Sequence, residues 1–137
     1  MQPDNRMDLA MYRIARAEET LLSAQRELVA EDYRTANNRA YYAIFHAIRA
    51  LLALDGVDYK RHSGVLSHFN QHYIKTGMFP VKFSEVVSNA SEIRNDSDYD
   101  DFYICSKEQT RELVESVQEV VAAIQEYLKK KNTGTQP

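Results

Sequence analysis

Apolar residues recur at alternating steps of three and four positions through most of this chain, which is the period of an α-helix buried on one side. Such positions in the first segment are Ile14, Ala17, Leu21, Ala24 and Leu28. Glycine and proline, the residues that most often interrupt regular elements, occur only 4 and 3 times among 137 residues. The pattern therefore predicts an all-α fold of long helices with few tight turns.

Five helices follow from this period and from the residues that begin and end helices. They are predicted from Asp8 to about Ala30, from about Tyr33 to Leu54, from Ser63 to about Lys75, from about Val81 to Arg94, and from Ser106 onward. The residues expected to cap helix starts are Asp8, Asp32, Ser63 and Ser106, the last in a capping box with Gln109. The polar stretch 95–103 has no period, and we predict a loop there.

The second predicted helix is apolar on two faces. Small residues line one face, at Ala36, Ala40, Ala43, Ala47 and Ala50, and large ones line the other, at Tyr41, Phe45, Ile48 and Leu52. A helix that is buried on two sides lies at the centre of its bundle. The narrow polar sector that remains holds Asn38, Arg39, Tyr42, His46 and Arg49.

The length of the chain is that of one domain, and we expect a single bundle over residues 1–131 followed by a disordered tail, 132–137. The single cysteine, Cys105, excludes an internal disulfide bond. The N-terminus is polar and no apolar run is long enough to span a membrane, which predicts a cytoplasmic protein without a membrane partner. The formal net charge of -3 excludes a globally basic nucleic-acid footprint, so such a contact would need a local patch.

The polar sector of the second helix has the composition of an anion site. Arg39, Tyr42, His46 and Arg49 step by three, four and three residues, so they lie on one line of the helix. Two neighbouring arginines repel each other, which favours an anion between them, and guanidinium matches the oxygens of phosphate in a bidentate way. The pattern indicates a phosphate-binding surface.

An alternative is that the same side chains only hold helices together. Arg39 or Arg49 would then form ion pairs with carboxylates elsewhere in the chain, such as Glu85, Glu92 or Asp96, while His46 would hydrogen-bond a neighbour. By the same reasoning Arg94 would pair with Asp96 or Asp98 at its own helix end.

Two further groups of residues have weaker patterns. His68 and His72 are four residues apart, a spacing that can bind a metal, but no HExxH motif and no nearby cysteine accompany them, and we predict no metal site. The run Lys60–Arg61–His62 is either a small anion patch or a solvated group of charges.

Three separated strings resemble a known family. The string RAYYAIFHAIRALLALDG, from Arg39 to Gly56, is followed by KRHSGV and then by RNDSDYD. In this order they are similar to the small stand-alone branch of the HEPN family, whose name stands for higher eukaryotes and prokaryotes nucleotide-binding. The resemblance covers about Asp32 to Tyr103.

The resemblance implies an up-and-down bundle of four to five helices that forms a homodimer with a cleft at its interface. Many members are metal-independent endoribonucleases without a cofactor, and many are toxins paired with a small nucleotidyltransferase antitoxin. Others have lost the catalytic motif and only bind. The motif is an arginine followed, after four to six residues, by a histidine.

By this resemblance, Arg94 corresponds to the motif arginine, and Asn95 is a family-like residue after it. The motif histidine is missing, because Tyr99 and Asp101 stand in that region. The resemblance also implies that polar residues of the second helix face the same cleft, so that His46 would supply the imidazole.

The polar sector of the second helix and the family resemblance together predict a protein that binds RNA or a nucleotide. Arg94 and His46 would be its catalytic residues, and Arg39, Tyr42, Arg49, Asn95 and Tyr99 would bind the ligand. One competing prediction is a non-catalytic dimeric interaction module. Another is that Tyr99 or Tyr103 accepts a nucleotidyl group from a partner enzyme.

Overall fold

The structure is a computed structural model that describes the backbone of residues 3–134 and the side chains from residue 5 onward. Its α-helices are α1 Pro3–Val29, α2 Tyr33–Asp55, α3 His62–Phe69, α4 Val81–Tyr99 and α5 Lys107–Asn132. A π-helical turn, Asn70–Ile74, continues α3. The residues described contain no β-strand, and the predicted all-α fold is confirmed.

Helix α2 lies at the centre of the bundle, as its two apolar faces predict. It contacts all four other helices, and its closest partner is α1. The predicted small-residue face is fully buried, at Ala36, Ala40, Ala43, Ala47 and Ala50. Small side chains allow a neighbouring helix to approach closely, and the burial of this face leaves the polar sector of α2 on another side of the helix.

Both ends of α2 are held by the residues expected there. The Asp32 carboxylate accepts hydrogen bonds from the Thr35 backbone N–H at 3.2 Å and from the Thr35 hydroxyl at 2.8 Å. Gly56 ends the helix in the left-handed conformation, with φ of 75°. This positive φ is the reason that glycine is favoured here, since the nearby Arg6 guanidinium is the end of a flexible side chain that could move aside for a Cβ.

Two predicted helix starts are wrong. Helix α1 already begins at Pro3, so Asp8 lies within it and caps nothing. Helix α3 begins at His62, and the extended Arg61 precedes it without a side-chain cap. The backbone carbonyl of Arg61 accepts from the N–H groups of Gly64 and Val65, which leaves Ser63 inside the first turn.

The end predicted for α4 is also wrong, since residues 95–99 are helical rather than a loop. Ser97 is buried four residues after the buried Ile93, so the inward period continues. Its hydroxyl lies 3.3 Å from the Cys105 thiol on the segment that leads to α5. The sequence pattern missed this turn because the buried position is polar, and an apolar period therefore stops at Ile93.

Helix α5 begins as predicted, with the Ser106 hydroxyl accepting from the Gln109 N–H at 3.1 Å. The Gln109 side chain does not complete the capping box, because its oxygen accepts from the Tyr103 hydroxyl at 2.9 Å. The helix runs through Asn132 and is followed by a turn at 133–134, while the rest of the predicted tail, 135–137, lies outside the described residues. None of the helices described is long and apolar enough to cross a membrane.

Candidate functional site

The predicted line of polar residues on α2 is partly open to solvent. Arg39, Tyr42, His46 and Arg49 are all half-buried, whereas their neighbours along the helix are mostly buried. This is the polar sector left between the two apolar faces of α2. We call these four residues together with Arg94 the cationic face.

Arg94 reaches this line from α4. Its Nη2 donates a hydrogen bond to the Tyr42 hydroxyl at 3.1 Å, and its Cζ lies 5.1 Å from the centre of the Tyr41 ring. The guanidinium groups of Arg94 and Arg39 each lie 5.6 Å from the centre of the Tyr42 ring. The structure therefore brings two of the predicted arginines, which come from different helices, to one tyrosine.

The arginines of the cationic face differ in how far they are neutralised. Arg94 Nε lies 3.1 Å from an oxygen of Asp98, although its N–H has no hydrogen-bond partner. Arg49 donates to Asp58 at 3.1 Å. Arg39 hydrogen-bonds only the amide oxygen of Asn38, at 2.7 and 3.3 Å, and forms no ion pair with any described residue.

The carboxylates that sequence reasoning offered as partners for the α2 arginines are not used. Within residues 5–134, Arg39 and Arg49 form no ion pair with Glu85, Glu92 or Asp96. For Arg94 the structure selects the Asp98 alternative, an ion pair between residues four apart on one helix. The alternative that these arginines only form ion pairs within the bundle therefore agrees with Arg94 and Arg49. It does not account for Arg39, which has no acidic partner among the described residues.

His46 lies one turn along α2 from Tyr42, with the two ring centres 6.4 Å apart. Burial lowers the pKa of His46, and the positive charges of Arg16, Arg49, Arg39 and Arg13 lower it further. A lowered pKa keeps the imidazole uncharged near neutral pH, and an uncharged imidazole can accept a proton.

Two arginines of α1 extend the positive field, and sequence reasoning missed them. Arg13 and Arg16 both act on the His46 pKa, and Arg13 Nη1 donates to the Arg49 carbonyl at 3.0 Å. Their spacing of three residues places them on one side of α1. That spacing was visible in the sequence, but nothing there indicated that this side turns towards α2.

A second imidazole, that of His62, also lies near Arg94. His62 Nδ1 is 2.7 Å from the Tyr41 hydroxyl, and its ring packs on Phe45 at 4.1 Å between centres. Burial lowers its pKa, and the charges of Arg94 and Arg49 add to this effect. Sequence reasoning treated His62 as one of a run of charges, and only its place in the string KRHSGV gave a signal.

The remaining predicted ligand residues, Asn95 and Tyr99, are on the last turns of α4. Tyr99 is 73% exposed, with its ring centre 6.0 Å from Arg94 Cζ. Asn95 is exposed and points about 100° around the helix from Arg94. Tyr99 therefore borders the cationic face, and Asn95 does not join it. The Tyr103 hydroxyl donates a hydrogen bond to the side-chain oxygen of Gln109, and Tyr103 is less exposed than Tyr99.

His68 and His72 lie apart from the cationic face. Both ring nitrogens of His68 are engaged, Nε2 with Asp55 at 2.9 Å and Nδ1 with the Tyr59 hydroxyl at 3.3 Å. Among the residues described, no group of three His, Cys, Asp or Glu side chains is placed to hold a metal ion.

A helical bundle in which an arginine of a late helix meets polar residues of the second helix is the arrangement that the resemblance implied. The family model for the HEPN domain matches residues 10–127, so the chain belongs to the HEPN family.

Individual relatives agree with this assignment. The chain is 31% identical over 117 residues to a UPF0332 protein of Thermotoga maritima, a match that covers 85% of this chain and 89% of the relative. It is 32% identical over 119 residues to a Methanocaldococcus jannaschii protein named "Putative toxin MJ0142", covering 87% and 81% of the two chains. A second protein of that organism, "Putative toxin MJ0605", is 34% identical over 83 residues, covering 61% of this chain and 62% of the relative.

Proposed function

We propose that this HEPN protein binds RNA, or a nucleotide, on the cationic face and acts as the toxin-side component of a toxin–antitoxin pair. The observation that carries the proposal is the meeting of Arg94 and Arg39 at Tyr42, with Arg39 lacking an acidic partner among the described residues. Two guanidinium groups on one aromatic ring offer charge for a phosphate and a ring on which a base can stack.

The chemistry that fits this face is metal-independent cleavage of RNA. The 2′-hydroxyl attacks the adjacent phosphorus, the bond to the 5′-oxygen breaks as that oxygen takes up a proton from water, and a 2′,3′-cyclic phosphate forms. His46 would take the proton from the 2′-hydroxyl, since its pKa is lowered by burial and by the surrounding arginines. Arg94 and Arg39 would balance the charge that develops on the phosphoryl oxygens.

The second imidazole offers a different assignment of the proton transfer. His62 is exposed and feels the charge of Arg94, so it is available to a substrate bound beside that arginine. If His46 and His62 both act, one accepts the proton of the 2′-hydroxyl while the other donates a proton to the leaving 5′-oxygen.

The partners in this proposal are a second copy of the chain, which would close the open cationic face into a cleft, and a nucleotidyltransferase antitoxin. The printed names of the two Methanocaldococcus relatives support the toxin role. Such a pair would operate in the cytoplasm, where RNA is the accessible polyanion.

The test is incubation of the purified protein with a mixed single-stranded RNA in the presence of EDTA, alongside Arg94→Ala, Arg39→Ala and His46→Ala. Arg111→Ala is the matched control, because Arg111 is bound by Glu108 and Glu115 on α5. We expect cleavage in the unchanged protein and in the control, and loss of at least about 100-fold in Arg94→Ala and His46→Ala. Full activity in both variants would exclude the catalytic proposal.

The second candidate function is a non-catalytic dimeric interaction module, and the ion pairs favour it. Arg94 is beside Asp98 and Arg49 is bonded to Asp58, so part of the cationic face is already neutralised. This candidate predicts that Arg94→Ala shifts the protein from dimer to monomer in sedimentation analysis, while the unchanged protein neither binds nor cuts RNA. RNA binding that is lost in Arg39→Ala, with the dimer intact, favours the first function.

A further inference from the structure

A cavity that is separate from the cationic face lies where α2 ends and the π-helical turn passes. Its volume is about 480 Å³, within the range of small-molecule sites. The residues that characterise it are Asp55, Tyr59, His68, His72, Tyr73 and Tyr127. We call it the aromatic cavity, and it shares no residue with the cationic face.

One carboxylate is placed among these rings by a chain of hydrogen bonds. Asp55 Oδ2 accepts from the Tyr73 hydroxyl at 2.8 Å and lies 2.9 Å from His68 Nε2. His68 Nδ1 is 3.3 Å from the Tyr59 hydroxyl. An imidazole with its proton on Nε2 satisfies both contacts, and the second carboxylate oxygen, Oδ1, makes no hydrogen bond with any described residue.

The backbone around the cavity adds to its preference for positive charge. Asp55 is the last residue of α2, and the carbonyl end of a helix carries a partial negative charge. The adjacent π-helical turn carries His72 and Tyr73 to the cavity, and π-helical turns are rare and often mark functional sites. Gly64 allows Tyr59 to lie close, since a Cβ there would be 2.9 Å from the Tyr59 Cβ.

The aromatic rings are arranged as neighbours around this carboxylate. Tyr127 meets Tyr73 edge to face, with ring centres 5.9 Å apart, and His72 packs on His68 at 4.3 Å. The ammonium of Lys131, which does not line the cavity, lies 5.6 Å from the centre of the Tyr127 ring, so this ring already has a cation as a neighbour. Aromatic faces with a carboxylate at hand are a common means of recognising organic cations.

We propose that the aromatic cavity is a binding site for an organic cation, an alkylammonium or guanidinium group. The cation would hydrogen-bond Oδ1 of Asp55 and lie against the rings of Tyr59 and Tyr127. The group can come from a free polyamine or from a lysine or arginine side chain of a partner protein, because the recognition chemistry is the same for both.

The experiment follows the imidazole signals of His68 and His72 by NMR in the full-length protein. The probes are putrescine and methylammonium for the free cation, and the Nα-acetyl amides of lysine and arginine for the side chain, each compared with sodium chloride at equal ionic strength. We expect saturable shifts with an organic cation. Shifts only with the amino-acid amides assign the source to a protein side chain, and shifts only with putrescine or methylammonium assign it to a free small molecule.

Two variants decide whether the carboxylate and the rings are responsible. Asp55→Asn keeps the shape but removes the charge and should weaken binding by about tenfold or more, the usual contribution of a hydrogen bond between charged groups. Asp101→Asn, an exposed carboxylate outside the cavity, is the matched control and should bind like the unchanged protein. Tyr59→Leu, at a residue that is 43% exposed, should also weaken binding and serves if Asp55→Asn does not fold.

Either of two results overturns the proposal. One is a response to every organic cation that equals the response to sodium chloride. The other is a dissociation constant that is the same in the unchanged protein, in Asp55→Asn and in Tyr59→Leu.

Discussion

At the scale of single residues, Tyr42 joins the two helices of the cationic face. Its hydroxyl accepts from Arg94, and its ring has a guanidinium at 5.6 Å from each of two arginines. Asp98 competes for Arg94, since its carboxylate lies 3.1 Å from Nε with only about a quarter of its side chain exposed. In the proposed function, the strength with which Arg94 binds a phosphate would therefore depend on how firmly Asp98 holds its guanidinium group.

Asp98→Asn should strengthen RNA binding, because it frees Arg94 from a carboxylate without removing the side chain. Arg94→Ala should weaken it, so the two variants change the affinity in opposite directions. We expect about a 1.4-fold to fivefold gain for Asp98→Asn, in line with the energy of a partly exposed ion pair. The measurement is fluorescence anisotropy with a labelled single strand, and equal affinity in Asp98→Asn and the unchanged protein would contradict the prediction.

His46 should make the fold sensitive to acid. Its pKa in the folded protein is lowered from 6.5, so below about pH 6.5 the unfolded chain binds more protons than the folded one. Stability is thus unaffected by His46 above that pH and falls as the pH decreases towards the lowered pKa. We expect the urea midpoint to drop less between about pH 7.5 and about pH 5.5 in His46→Gln than in the unchanged protein. An equal drop in both proteins would show that His46 does not contribute.

Some contacts between residues follow from their spacing on a single helix, and others depend on how two helices pack. The line from Arg39 to Arg49 was predictable because spacing on a single helix determines it. The hydrogen bond from Arg94 to Tyr42 joins residues 52 positions apart, and that of His62 to Tyr41 joins residues 21 apart. No local pattern encodes such pairs, which is why His62 was missed.

At the scale of elements, α2 and α4 differ in how well sequence describes them. Helix α2 has a side-chain cap, a left-handed glycine and uninterrupted apolar faces, and its bounds were predicted to within one residue. Helix α4 loses its apolar period at the buried Ser97, so five helical residues were taken for a loop. A polar residue that is buried through a tertiary contact cannot be recognised from the period alone.

The complete burial of the small-residue face of α2 predicts that its enlargement destabilises the bundle. Ala47→Leu adds bulk at a position with no exposed surface and should lower the free energy of unfolding by about 1–3 kcal/mol. Ala122→Leu on α5 adds the same bulk at an exposed position and should change it by less than about 0.5 kcal/mol. Urea denaturation measures the free energy of unfolding of both variants. An equally small change in both would contradict the prediction, because it would mean that the small-residue face tolerates the larger side chain.

At the scale of the whole molecule, the cationic face is a local positive region on a chain whose formal net charge is -3. Long-range attraction of RNA would therefore be weak, and the proposed binding would depend on short-range contacts that salt disrupts. The face combines arginines from α2 and α4 with a field from Arg13 and Arg16 on α1.

The affinity for single-stranded RNA should fall with salt in proportion to the phosphates that the face neutralises. Each phosphate contributes about -0.7 to the slope of log K against log salt concentration. Arg39→Ala should therefore make the slope shallower by about that amount, whereas Arg111→Ala should leave it unchanged. A salt slope that is identical in all three proteins would contradict a role for Arg39 in phosphate contact.

The continuation of α4 through Tyr99 affects which RNA conformations can bind beside Arg94. Because Arg94 is on the body of a helix and not on a loop, its backbone cannot bend towards a ligand, and the ligand must supply the flexibility. A single strand with unstacked bases deforms cheaply, while an A-form duplex keeps its bases inside a stiff double helix. We therefore expect this rigid surface to bind hairpin loops and unpaired ends of RNA, and to bind paired stems weakly.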